Sequence, residues 1–456
     1  MSDDPTSPPA PASALKSPST AKEEVHERVS GSVPQAASEW PWRAVQAVRR
    51  LRMFEALHYR EYRLIWYAQV FASMATWMDQ VARGWLLYEL TNSTLQLGLV
   101  RGVQAIPILL LSPLAGSAAD RYSRKMQVLV AQMVDGLLYA IVAVLIFSGK
   151  IEPWHVFATA FGMSIVQAFQ QPSRAAMIGD SVPVRHLTNA IGLNSIIFNV
   201  SRSAGPAFAG FLIAIMGTGG SYTAQAVCYL LAIIWTMQLS SSRSAASDAH
   251  RKQAHGESFR QSIIEGWKFS WRNEAVRASL LIVVCASIFI IPFMTLLPVF
   301  ARDILHVGAT GQGLLLSAMG VGALFSSVLI ASFGDRVPRI NVMLAGVTLY
   351  GIIIAAFALS PWFSLSVILM GLVGVVHVTS HALAQTVIQT YSPSEFRGRT
   401  MALYHMTHVI LLAGGILIGA LASWLGAQWA TASLSLAGAF SMAVIYLALP
   451  RARLIR

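Results

Sequence analysis

Twelve apolar segments, each about 20 residues long, run along this chain. That length is what a helix needs to cross about 30 Å of hydrocarbon. They fall at roughly 63–88, 95–119, 126–147, 154–178, 188–216, 221–239, 276–300, 312–333, 340–359, 362–390, 399–425 and 427–449. In lipid, each segment must pair its own backbone N–H and C=O groups, so the pattern dictates an all-α integral membrane protein. Charge is scarce enough to agree: 12% of residues are charged and 55% hydrophobic, with a mean hydropathy of +0.56. A soluble domain carries about 25% charged residues. A cytosolic enzyme, a secreted disulfide scaffold and a nucleic-acid-binding domain are thereby excluded. Cys228 and Cys285 both lie in apolar runs and make no disulfide or metal-ligand spacing.

The net charge of +12 reads as topology rather than nucleic-acid binding. Lys and Arg collect in the N-terminal tail and after even-numbered spans, as at Arg121, Arg124, Lys125, Arg185, Arg243, Arg336 and Arg397. The opposite connections carry Lys150 and Arg302. Both termini are therefore expected on the cytoplasmic side of a multi-pass protein.

Residues 1–39 are rich in Pro, Ser and Ala and have no apolar period, so a disordered cytoplasmic tail is expected. In 40–60, Trp40, Trp42, Val45, Val48 and Leu51 interleave with four arginines, which reads as an interfacial basic helix; a plain basic flank is the alternative. The connection 240–275 splits the spans into an N-terminal six-helix bundle (61–239) and a C-terminal one (276–450), followed by a short cytoplasmic tail, 451–456. Phe259, Ile263, Trp267 and Trp271 recur every four residues in that connection and predict an amphipathic helix on the membrane surface. The halves repeat: Gly116 through Asp120-Arg121 follows the second span, and Gly334-Asp335-Arg336 follows the eighth. A duplicated six-helix unit is a transporter architecture with its site between the halves.

Gly116-Ser-Ala-Ala-Asp120-Arg121-Tyr-Ser-Arg124-Lys125 resembles the loop 2–3 signature of the major facilitator superfamily, with Ser123 where a second Gly is usual. Ser201 through Gly205-Pro206 to Gly210 is similar to the fifth-helix pattern of its antiporter branches, with Ser for the first Gly. Thr76-Trp77-Met78, Gly84 through Thr91, Pro172-Ser173-Arg174 and Asn189 through Ser195 resemble the branch that holds enterobactin exporters and macrolide-efflux proteins. The resemblance covers about residues 57–450. It implies a drug exporter of the bacterial cytoplasmic (inner) membrane, driven by proton exchange and functional as a monomer. It also implies that Gly205, Pro206 and Gly210 seal one side against ion leak; ordinary tight packing with a kink is the alternative.

Physical chemistry adds candidate residues. Gly116, Asp120, Arg121, Arg124 and Lys125, with Asp335, Arg336 and Arg174, would form a cytoplasmic gate by pairing charges across the halves, each exposed pair contributing about 0–1 kcal/mol. Retention of positive charge on the inside is the competing explanation. Pro206 should break or bend the fifth span. Gln69, Ser73, Thr76, Gln80 and Arg83 form a polar stripe on the first span, which must line a cavity rather than face lipid. Asp79 can pair with Arg83 or with Arg101. Asp135 sits roughly 15 Å into the third span, with Arg202 as a possible partner. Asp79 and Asp135 are the leading proton-coupling candidates, and permanent ion pairing that holds helices together is the alternative. Gln167, Gln171 and Asn194, with His377, His381 and Gln385, extend the cavity lining; His381 and His405 are further proton-relay candidates. No Cys, Asp or Glu completes a ligand set around these histidines, so no metal and no cofactor is expected.

The expected activity is alternating-access export of small amphipathic organic compounds, of drug or macrolide type, with protons and the lipid bilayer as partners and no nucleic acid. A siderophore is the alternative substrate. A transport-inactive sensor or a membrane-integral enzyme is the alternative of another class, although no catalytic motif appears.

Overall fold

A computed structural model describes residues 52–240, 259–333 and 338–449. The side chains of 112–121, 259–263 and 331–333, and of a few α11 residues including His405, lie outside that description, as do the tail 1–39, most of the basic segment and residues 241–258. Among the described residues the chain is almost entirely helical and has no strand.

The helices are α1 (Arg60–Thr91), α2 (Thr94–Arg121), α3 (Arg124–Phe147), α4 (Pro153–Asp180), α5 (Val184–Met237), α6 (Phe259–Arg272), α7 (Glu274–Ile304), α8 (Gly308–Phe333), α9 (Arg339–Leu359), α10 (Phe363–Tyr391), α11 (Ser394–Leu425) and α12 (Ala427–Ala448). Among the described residues, eight helices are long and apolar enough to cross a membrane. The 54-residue α5 would extend roughly 80 Å if straight, far beyond one crossing. Gly217, at φ 69° and ψ 178°, interrupts it where the sequence predicts the fifth and sixth spans to part. Only a residue without Cβ takes that backbone region easily. The Thr218 hydroxyl next to the break donates 2.8 Å to Glu89 of α1.

Local chemistry sets the other boundaries. Asn92 ends α1 in the left-handed region, and its N–H bonds the Tyr88 carbonyl at 2.9 Å. Ser123 caps α3, and Glu152 with His155 forms a capping box at α4, where Pro153 needs no amide partner. The expected break at Gly205-Pro206 is absent: helical backbone angles continue through both residues. A membrane helix tolerates proline where neighbouring groups re-satisfy the freed carbonyl. The backbone distortion falls in α7 instead, where π and 3-10 turns follow one another around Pro292 and Pro298.

Helices α1 to α5 pack chiefly on one another, and so do α7 to α12; the two sets meet where α5 lies on α8 and α2 on α11. Both seams are close backbone approaches. A Cβ on Gly210 would stand 2.5 Å from the Ala309 carbonyl, and one on Gly313 2.5 Å from that of Pro206. Gly98 abuts Gly415, and a Cβ on Gly419 would meet the Thr94 carbonyl at 2.7 Å. The hydroxyls of Ser317 and Thr94 donate across the seams to Ser203 (2.6 Å) and Gly419 (3.2 Å). Near the same end, Arg302 stacks over the Tyr88 ring, whose hydroxyl donates to Asp303. All these contacts lie in the half of each helix away from Arg124 and Lys125. Toward that basic end, Gln167 and Gln171 on α4 and Thr386 and Gln389 on α10 are exposed.

Beyond the 241–258 connection, α6 docks by one face. Phe269 stacks on Phe396 at 4.8 Å, Glu265 accepts from Arg399 at 2.5 Å, and Asn273 donates to the Tyr391 carbonyl. Trp267 and Trp271 stack on each other on the exposed face. At the other terminus, residues 54–58 are anchored to protein: the Ala56 N–H donates to Asn189, and His186 pairs with Glu55 at 3.1 Å.

Candidate functional site

The polar stripe of α1 faces protein, as its composition requires. Gln69 is buried and donates 2.9 Å to Ser73, and Thr76 bonds the Ala72 carbonyl. One turn apart, Asp79 and Arg83 form a two-bonded pair, Nε to Oδ2 at 2.9 Å and Nη2 to Oδ1 at 3.1 Å. Arg83 is 3% exposed. It also reaches α4, donating to the Val156 carbonyl, the Thr159 hydroxyl and the Met163 sulfur. The pair therefore ties α1 to α4 and keeps the charge neutral inside an apolar bundle.

Asp135 of α3 lies in the same cluster, 5% exposed, with one carboxyl oxygen lacking a hydrogen-bond partner among the described residues. Tyr229 neighbours the carboxyl, and its hydroxyl lies 3.4 Å from that of Thr76. The rings of Tyr229 and Tyr222 flank Tyr139 at 5.5 and 6.1 Å. The expected Asp135–Arg202 pair does not form. Arg202 sits 5.8 Å from the Trp77 ring and lines a separate cavity. The fifth span runs along the seam with α8, so Arg202 faces the junction of the two helix sets while Asp135 faces the interior of its own. Sequence reasoning missed the three tyrosines. Their signal was available: Tyr139 follows Asp135 by four residues, and Tyr222 and Tyr229 are seven apart on one helix face.

Arg101 joins the Arg202 cavity rather than Asp79. Its Nη2 donates to Gln80 at 3.2 Å and its Nη1 to Gln104 at 3.4 Å. Geometry explains this, because Arg83 already occupies both Asp79 oxygens.

In the second set of helices, His377 and His381 stand ring to ring at 4.6 Å, and His381 Nδ1 is hydrogen-bonded to the Tyr404 hydroxyl at 2.9 Å. Gln385 lies near the same hydroxyl. Tyr350 lies edge-on to His377. Tyr350, His377 and His381 border a small internal cavity with Ile282, Val283 and Ser380.

The gate residues divide. Arg124 pairs with Asp180 at the end of α4, and Lys125 Nζ donates 2.9 Å to the Met237 carbonyl and also to that of Leu239. These partners belong to the first helix set. The orphan carbonyls at the end of α5 draw the ammonium there. Arg174 donates to Gln171 of its own helix at 2.7 Å. Asn194 is half-buried on α5. Gly116, Asp120, Arg121 and His405 lie in the stretches whose side chains are outside the description; Asp335 and Arg336 are outside the described residues.

A family profile described as transmembrane secretion effector matches residues 52–454. A staphyloferrin A transporter of Staphylococcus aureus is 24% identical over 77% of this chain and 87% of its own. The multidrug efflux pump Tap of Mycolicibacterium fortuitum is 25% identical over 86% and 96%. Among solved structures, the nucleoside transporter NupG superposes with a TM-score of 0.65 at 13% identity, covering 86% of this chain and 98% of that one. At such identity the likeness is one of fold.

Proposed function

The chain belongs to the transmembrane secretion effector family of major facilitator transporters, and on that premise we propose that it exports amphipathic organic compounds by alternating access, driven by proton antiport. In this reading twelve spans form two six-helix bundles, 61–239 and 276–450, in the bacterial cytoplasmic membrane. Both termini are cytoplasmic, and the monomer is the working unit. The observation that carries the reading is the seam geometry. Backbone-to-backbone contacts close α2 on α11 and α5 on α8 at one end, while polar side chains are exposed toward the other. Since the basic connections mark the cytoplasmic face, this conformation faces inward.

Proton coupling is assigned to Asp135, with Tyr229 as its neighbour. Drug-type substrates are supported by the Tap relative, and a siderophore by the staphyloferrin A relative. The family and the fold neighbours are transporters, which sets aside a membrane-integral enzyme. The test is efflux from a pump-deleted bacterial host across a compound panel, with and without an uncoupler, followed by counterflow in liposomes. Export reads as lowered accumulation that the uncoupler restores. A protein that changes no compound's accumulation and supports no counterflow is a sensor, not a carrier.

A further inference from the structure

Helices α1, α2 and α5 meet α7 and α8 around a small cavity at the closed end of the seams, and both Arg101 and Arg202 line it. Trp77, Gln80, Met294 and Met319 share the wall. Arg101 donates to two neutral amides, Gln80 and Gln104, and Arg202 lies over the Trp77 ring. Among the described residues, no carboxylate forms an ion pair with either guanidinium. Asp79 is within electrostatic reach of Arg101, but Arg83 holds both of its oxygens. Two cations thus face one space between the helix sets without a built-in counter-ion.

Charge removed from bulk water and left unpaired is strongly unfavourable. Guanidinium forks are also the groups best shaped for carboxylate oxygens. The rest of the wall is aromatic and thioether, surfaces that take varied apolar shapes. In this conformation the cavity holds about 10 Å³, the space of about one water; we propose that, when the closed end of the seams parts, Arg101 and Arg202 engage the carboxylate groups of an anionic amphipath whose apolar body lies against Trp77, Met294 and Met319. This rests on the export reading above and narrows its substrate class. Cationic compounds meet two like charges at the same place and are disfavoured.

The test uses the purified full chain, with carboxyfluorescein as the anionic probe and ethidium as the cationic one. Binding is followed by fluorescence anisotropy in detergent, and transport by counterflow in proteoliposomes. The wild-type protein binds carboxyfluorescein saturably and in preference to ethidium, a result that needs no variant. Arg101→Gln and Arg202→Gln each weaken the anion about tenfold or more, the weight of a charge-assisted hydrogen bond. Arg101→Lys and Arg202→Lys restore part of the loss, and ethidium binding stays level or tightens. Preference for ethidium, absence of saturable anion binding, or undiminished anion binding in both Gln variants overturns the proposal. Arginine-dependent anion binding without any counterflow upholds this site and sinks the transporter reading; ethidium counterflow without anion binding does the reverse.

Discussion

Two buried carboxylates share one cluster yet are held differently. Asp79 is fixed by two nitrogens of a neighbouring guanidinium, whereas Asp135 keeps a tyrosine neighbour and an oxygen with no bond among the described residues. The first arrangement is that of a structural tie, and the second is the one to which the proposal above gives the proton. Asp135→Asn should therefore abolish accumulation against a gradient while leaving substrate exchange across liposomes measurable. Tyr229→Phe should reduce gradient-driven efflux without abolishing it. An Asp135→Asn protein that still concentrates substrate assigns the proton to another group. For the pair, loss of one partner strands a buried charge, at a cost of about 3–5 kcal/mol. Asp79→Ala and Arg83→Ala should each lower the thermal midpoint in detergent, and the double variant should recover part of the loss. Independent, additive losses would show that the pair is not coupled.

Single elements meet through glycine. Gly98 and Gly210 sit where any side chain would collide with a carbonyl of the opposite helix set, whereas Gly179 and Gly192 face open space. Backbone approach of this kind gives helix packing without a hydrophobic driving force. Gly98→Val and Gly210→Val should leave abundance nearly unchanged but prevent the seam from closing. Transport is then lost, and a cysteine placed near Thr94 or Thr310 becomes labelled by a membrane-impermeant maleimide added from outside. Gly179→Ala and Gly192→Ala serve as controls that keep both readouts at wild-type levels. Labelling that is unchanged in both valine variants would show that the seams do not set the closed state. The amphipathic α6 behaves as its four-residue spacing predicts only in part. One face is taken up by Phe396 and Arg399, and the two exposed tryptophans remain for the bilayer surface.

For the molecule as a whole, the N-terminal tail is predicted to be dispensable. Residues 1–39 lack the apolar pattern that folding requires, so their deletion should leave efflux within about twofold of wild type. Deletion through Arg52 removes the Trp and Arg cluster and should lower membrane abundance, as read by immunoblot of isolated membranes. Equal behaviour of the two truncations would move the boundary. The duplicated plan gives the tail no obvious place, whereas residues 54–58 already grip α5 through Asn189 and His186.

Helix class, and a helix break where the fifth span was expected to give way to the sixth, were legible in the sequence alone. Segment length and backbone hydrogen bonding in lipid leave few other solutions. The Asp79–Arg83 pair was legible for the same reason, since four residues along a helix is a local distance. Pairings between distant spans were not. Whether Arg202 meets Asp135 or Trp77, whether Arg101 turns to Asp79 or Gln80, and whether Lys125 crosses to the other helix set depend on the rotation of each helix about its axis. Close packing of glycines against carbonyls sets those rotations, and no spacing within one segment encodes them. Only the tertiary structure separates the tyrosine-lined cluster around Asp135 from the cationic cavity at the seam.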